Sequence, residues 1–143
     1  MKRMIIDVSS VVWMSLLAGK DVEGREVDHE GKKVWVNSAA FGYENAVSHI
    51  TSAMNKLGIV PIDMIFVIEG MKSKERRKFI LEQYKETRQS RPPESYDEFN
   101  ALKELLTATF RNIGAQICWQ DGVEADDVVA YLAKTLQGER WVL

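Results

Sequence analysis

Met64-Ile65-Phe66-Val67-Ile68-Glu69 is a run of five apolar residues closed by a carboxylate, with Pro61 just upstream. An unbroken apolar run of this length predicts a strand buried on both faces, as in parallel sheets. A half-exposed strand would instead alternate apolar and polar residues. Two other stretches follow the same pattern. Met4-Ile5-Ile6 ends in Asp7, and Gln116-Ile117-Cys118-Trp119 is followed by Asp121 and then by Glu124, Asp126 and Asp127. Arg140 to Leu143 reads as the start of a fourth strand.

Helical periods fill the intervals. Ser9 is placed to cap a helix over Val11 to Leu17, stopped by Gly19. Phe41, Ala46, Val47, Ile50 and Met54 fall near a 3.6-residue period, predicting a helix from about Ser38 to Leu57. Lys72 to Arg88 reads as a charged helix broken by Pro92-Pro93. A further helix from about Tyr96 to Ile113 turns Phe99, Leu102, Leu105, Leu106 and Phe110 toward a core. Ala125, Val128, Val129, Leu132, Ala133 and Leu136 mark the last amphipathic helix. Val27, Val34 and Val36 alternate with polar neighbours around Gly31, which predicts a small hairpin. Strands alternating with helices give an α/β layered domain with a mainly parallel sheet. Ligands of such sheets collect beyond the carboxyl ends of the strands, and there the sequence places Asp7, Glu69 and the Glu124 group.

The chain has 143 residues, 45% hydrophobic and 28% charged, which fits one ordinary globular domain and excludes collagen-like and low-complexity classes. Cys118 is the single cysteine, so no disulfide scaffold is possible, and it reads as a core thiol. A net charge of −2 conceals an asymmetry. Lys72 to Arg91 holds eight basic residues (Lys72, Lys74, Arg76, Arg77, Lys78, Lys85, Arg88 and Arg91) against three acidic ones, whereas Trp119 to Leu143 holds five acids against two bases. Lys2, Arg3 and the apolar stretch Val11 to Ala18 imitate a signal peptide, but Asp7 and serines interrupt the pattern and no small-x-small site follows. The chain reads as cytoplasmic, with no membrane partner.

Acids in a first helical turn each gain about 0.3–1 kcal/mol from the helix dipole, which accounts for one or two of Glu124, Asp126 and Asp127. It does not account for their convergence with Asp7 and Glu69, because like charges repel. A cation relieves such a cluster, and oxygen ligands favour Mg²⁺ or Mn²⁺. No Cys/His pair has zinc spacing, His29 and His49 are isolated, and no Gly-rich phosphate loop is present. The four tryptophans look scattered rather than arranged as a platform.

Gly122-Val123-Glu124-Ala125-Asp126-Asp127-Val128 resembles the Gly-x-Glu-Ala-Asp-Asp-hydrophobic motif of the 5′→3′ exonuclease and flap endonuclease family, which includes phage exonucleases and the nuclease domain of bacterial DNA polymerase I. The resemblance runs in order along nearly the whole chain. It takes in Ile5-Ile6-Asp7-Val8-Ser9-Ser10, Ala40-Phe41-Gly42-Tyr43 and Phe66-Val67-Ile68-Glu69-Gly70, where Glu69 stands in place of the more usual aspartate. It also takes in Tyr84-Lys85-Glu86-Thr87-Arg88, with Arg76 or Arg77 near the usual upstream arginine.

The resemblance implies a three-layer, PIN-like or resolvase-like α/β domain over residues 1–143, with a helical arch at about 70–100. It implies hydrolysis of DNA phosphodiesters at a free 5′ end or 5′ flap with two Mg²⁺ or Mn²⁺ ions, in a bacterial or phage-infected cell. Asp7, Glu69, Glu124 and Asp126 would line the first metal site, and Asp127 would reach toward the second. Lys85 and Arg88 would contact the scissile phosphate. Lys74, Arg76, Arg77 and Lys78 would bind the DNA backbone, and Tyr84 could stack on a base. The family's later Ser/Thr-x-Asp-x-Asp element and helix–hairpin–helix module lie beyond Leu143. The expectation is therefore a fragment cut at its fourth strand, inactive or weak alone, whose remaining half lies in a longer chain or a second polypeptide. Two other classes stay open: a PIN-like ribonuclease of the toxin type and a non-catalytic DNA-binding accessory module.

Overall fold

The computed structural model describes residues 1–18, 25–36, 38–80 and 93–143. In chain order these form β1 (Lys2–Asp7), α1 (Val8–Ala18), β2 (Arg25–His29), β3 (Lys32–Val36), α2 (Ser38–Leu57), β4 (Met64–Val67), α3 (Ser73–Ile80), α4 (Pro93–Asn112), β5 (Gln116–Cys118), α5 (Ala125–Thr135) and β6 (Glu139–Val142). The main sheet has the order β5-β4-β1-β6, and every neighbouring pair is parallel.

The apolar runs of the central strands β1 and β4 are buried on both faces, as their composition requires. The run of β5, expected to follow the same pattern, is only part-buried because β5 is an edge strand, and β6 at the other edge is exposed. Met4 and Ile6 of β1, with Met64 and Phe66 of β4, join one core built with α1, α2 and α4. The alternate residues Ile5, Ile65 and Val67 face the other way, onto Ala125 and Val128 of α5. Three layers result, with α4 leaving β4 for one face and α5 leaving β5 for the other. The crevice between such diverging connections, at the carboxyl ends of the strands, is where open α/β sheets hold ligands.

β2 and β3 pair antiparallel apart from the main sheet, with Val27 opposite Val34. Their two-residue connection has Glu30 at φ 53° and Gly31 at φ 74°, as the tight turn of a twisted hairpin requires. At the sheet's other edge the β6 ladder continues one residue past the strand. Leu143 N donates to Ile5 O, and Asp7 N donates to Leu143 O, each at 2.9 Å.

Some sequence expectations need correction. Asp7, not Ser9, caps α1, which therefore starts at Val8. Its Oδ1 accepts Ser9 N–H at 3.1 Å and Ser10 N–H at 3.4 Å, the amides an N-terminal cap satisfies. The helix expected from Tyr96 begins at Pro93, a residue suited to a first turn because it lacks an N–H. Leu105 does not face the core and is 51% exposed. The buried stripe of α4 is Leu102, Leu106 and Phe110, from which residue 105 is rotated by about one residue's 100°. Of the charged helix expected over 72–88, α3 holds Ser73–Ile80, and 81–92 lie outside the described residues.

Candidate metal and phosphate site

The strand ends deliver the expected carboxylates to one place. Asp7 from β1, Glu69 after β4, and Glu124 and Asp126 at the start of α5 line a single open cavity of about 570 Å³. Lys74 of α3 and Lys103 of α4 line it too, so cations stand beside the acids at the same mouth.

Each carboxylate is oriented by a different device. The Asp7 cap is joined by Ser10 Oγ, which donates to Oδ2 at 2.5 Å. Glu69 is gripped at both oxygens: Ser73 Oγ donates to Oε1 at 2.5 Å, and Ala125 N–H donates to Oε2 at 3.2 Å. Glu69 thus supplies the side-chain cap for α5. Glu124 occupies the N-cap position itself, yet its carboxylate makes no capping bond. It is 5% exposed, with Arg77 Nε 3.6 Å from its Oε2. The same guanidinium donates through Nη2 to Asp127 Oδ2.

The two loops that carry these groups are pressed together. A Cβ on Gly70 would stand 2.0 Å from Gln120 O, so only glycine permits the approach. Next to it, Met71 N–H donates to Asp121 Oδ1 at 3.1 Å, and Gly122 N–H donates to Met71 O at 2.7 Å.

A family model described as 5′-3′ exonuclease, N-terminal resolvase-like domain matches residues 2–143. The chain belongs to that family. Among solved structures, the T5 D15 protein co-crystallised with metal ions has the same fold, with a TM-score of 0.62 at 19% identity. That match covers 99% of this chain and 48% of the T5 protein, so the chain spans about half of that protein's length. None of the curated proteins compared gives a significant match. The expected three-layer resolvase-like α/β domain is thus what the chain forms.

Within this exonuclease-family domain, the basic residues of α3 divide by direction. Lys74 faces the carboxylate cavity, and Arg77 is engaged with Glu124 and Asp127. Arg76 packs on Gly122, where a Cβ would meet its Nη1 at 3.2 Å, and Lys78 is exposed. Tyr84, Lys85 and Arg88 lie outside the described residues.

One group was missed from sequence. Trp13 is no scattered tryptophan: it lines the cavity, stacks on Phe99 at 4.6 Å between ring centroids and meets Tyr96 edge-on at 5.9 Å. The three rings come from helices more than eighty residues apart, so no local spacing announces them. Lys103 Nζ sits 5.6 Å from the Phe99 ring.

The donor set is right for a hard divalent cation, since all the candidate ligands are carboxylates. The spacing in this arrangement is not. Among the described residues, no group of three or more acids, histidines or cysteines could hold a metal ion. Of the acids expected to converge, Asp7, Glu69, Glu124 and Asp126 share a cavity, whereas Asp127 lines a separate one beside Arg77, and they do not meet at ligand distance. Among the described residues, no helix is long and apolar enough to cross a membrane.

Proposed function

We propose that this chain bears the carboxylate half of a divalent-cation-dependent 5′-nuclease that hydrolyses DNA phosphodiesters at a free 5′ end or flap. The observation that carries the proposal is the meeting of Asp7, Glu69, Glu124 and Asp126 with Lys74 in one cavity at the strand ends, in a member of the 5′-3′ exonuclease family. Asp7, Glu69, Glu124 and Asp126 would line the site of one Mg²⁺ or Mn²⁺ ion, directly or through water, and Asp127 would reach toward a second. Bound there, such ions supply an activated water and charge stabilisation at the leaving oxygen. The chain's own cations do the positioning. Lys74 draws a phosphate toward the cavity, since backbone contacts fix register and orientation without reading sequence. Lys85 and Arg88 would touch the scissile phosphate and oppose the charge that develops on it, with Tyr84 available to stack on a base.

The proposal includes weak cleavage by this chain alone, with the rest of the activity supplied by a longer chain or a second polypeptide. The test is cleavage of 5′-flapped DNA, duplex and single-stranded RNA with Mg²⁺ or with chelator. Slow, cation-dependent cleavage of flapped DNA is expected, reduced about 100-fold or more by Asp126→Asn. Preference for single-stranded RNA would move the protein to the ribonuclease class, and robust flap cleavage would remove the requirement for a second half. The spacing of the described acids, no three of which stand at ligand distance, favours a second reading, a DNA-binding accessory module. That reading requires no Mn²⁺ binding and DNA affinity unchanged in Asp126→Asn.

A further inference from the structure

Arg77 places a cation against the most deeply buried carboxylate of the edge. Glu124 is 5% exposed, its carboxylate does not cap α5 although it sits at the N-cap, and Arg77 Nε lies 3.6 Å from Oε2. A carboxylate this deeply buried requires an opposite charge close by. The guanidinium also takes Asp127 through Nη2. Two of the proposed metal ligands, one for each ion, are thereby drawn to a single side chain of α3. This geometry supplies a physical reason why, among the described residues, Glu124 and Asp127 do not meet the other acids at ligand distance.

We infer that Arg77 is an internal counter-cation of the carboxylate edge, and that its grip on Glu124 and Asp127 competes with the loading of a divalent cation. The inference rests on the divalent-cation reading above and adds a coupling to it. α3 begins the basic segment, and Arg77 fastens its middle to the start of α5. When the acids turn to an incoming cation, Arg77 gives them up and α3 loses that attachment. By reciprocity, whatever lifts α3 away from α5, such as a phosphate backbone engaging Arg77, raises cation affinity by the same factor. The site would then load fully only with nucleic acid in place. Arg77 is a positioning residue in this scheme, acting through Glu124 and Asp127.

The test is Mn²⁺ and Mg²⁺ binding by calorimetry, with thermal unfolding, for the wild-type chain, Arg77→Gln and Arg77→Lys, without nucleic acid. Arg77→Gln is expected to bind the cation about 10-fold more tightly, with Arg77→Lys between it and wild type. Arg77→Gln is also expected to melt lower than wild type without cation and to recover most of that loss when cation is added. Hydrogen exchange on the wild-type chain serves as a check that needs no variant: amides of Ser73–Ile80 exchange faster once cation is added. Cation binding by the wild-type chain with no gain in Arg77→Gln, or slowed or unchanged exchange in α3, overturns the inference alone. No cation binding by either chain overturns the divalent-cation reading and this inference with it.

Discussion

Asp7 and Asp127 are both aspartates at the same end of the sheet, and they are held in opposite ways. Asp7 is fixed by its own chain neighbours: the sheet delivers it, and the amides of Ser9 and Ser10 and the Ser10 hydroxyl bind its two oxygens. Asp127 is half-exposed and is bound by a flexible guanidinium from α3, fifty residues away in sequence. Glu69 falls between them, tied by Ser73 of α3 on one oxygen and the first amide of α5 on the other. Local backbone bonds give a carboxylate one orientation, because moving it would unsatisfy the start of a helix. A long-range pair of exposed side chains gives an orientation that another charge can change. The edge is thus rigid at β1 and adjustable at α5.

Substitutions at four positions probe that contrast, from the largest expected effect to the smallest. Gly70→Ala strikes the junction on which the adjustable side depends. The clash with Gln120 O is with backbone, so the cost is expected to be about 3 kcal/mol in chemical denaturation, and an unchanged midpoint would show that the two loops part freely. Ser73→Ala removes a buried hydroxyl that donates to a carboxylate, at an expected cost of about 1.5 kcal/mol. A loss far below that would mean that Glu69 is held by α5 alone. Asp7→Ala should cost about 1 kcal/mol as a lost helix cap, whereas Asp7→Asn should be nearly neutral, because asparagine caps equally well. Equal losses from the two would show that charge, not capping, fixes Asp7. Asp127→Asn should change stability by less than about 1 kcal/mol; a larger loss would make the exposed arm of the Arg77 grip a structural element.

Much of this was legible in the sequence because burial on both faces leaves so strong a mark. Met64 and Phe66 go to one core and Ile65 and Val67 to the other, and no other element type buries a continuous apolar run of that length so simply. The carboxylates that follow those runs then had to lie at one sheet edge, and Asp7, Glu69, Glu124 and Asp126 do share a cavity. For the cap of α1, Ser9 is as good by residue type as Asp7, and only the helix start decides between them. Arg76 and Arg77 are equivalent on paper. Their separation, one onto Gly122 and one onto Glu124 and Asp127, follows from where α5 passes α3, which depends on the close approach at Gly70. Leu105 is as apolar as Leu102 and Leu106, yet the helical period sets it off the buried stripe. The ring cluster of Trp13, Tyr96 and Phe99 is a purely tertiary product.

That ring cluster gives the molecule a light source at the mouth of its own cavity. Indole emission responds to nearby charge and to loss of water, and Trp13 lines the same cavity as Asp7, Glu69, Glu124 and Asp126. Trp119 and Trp141 are about half exposed and do not line that cavity. With Trp35, Trp119 and Trp141 changed to Phe, the remaining emission comes from the cavity wall alone. Filling of the cavity can then be followed optically in real time, without labelling the protein and without waiting for a bond to break.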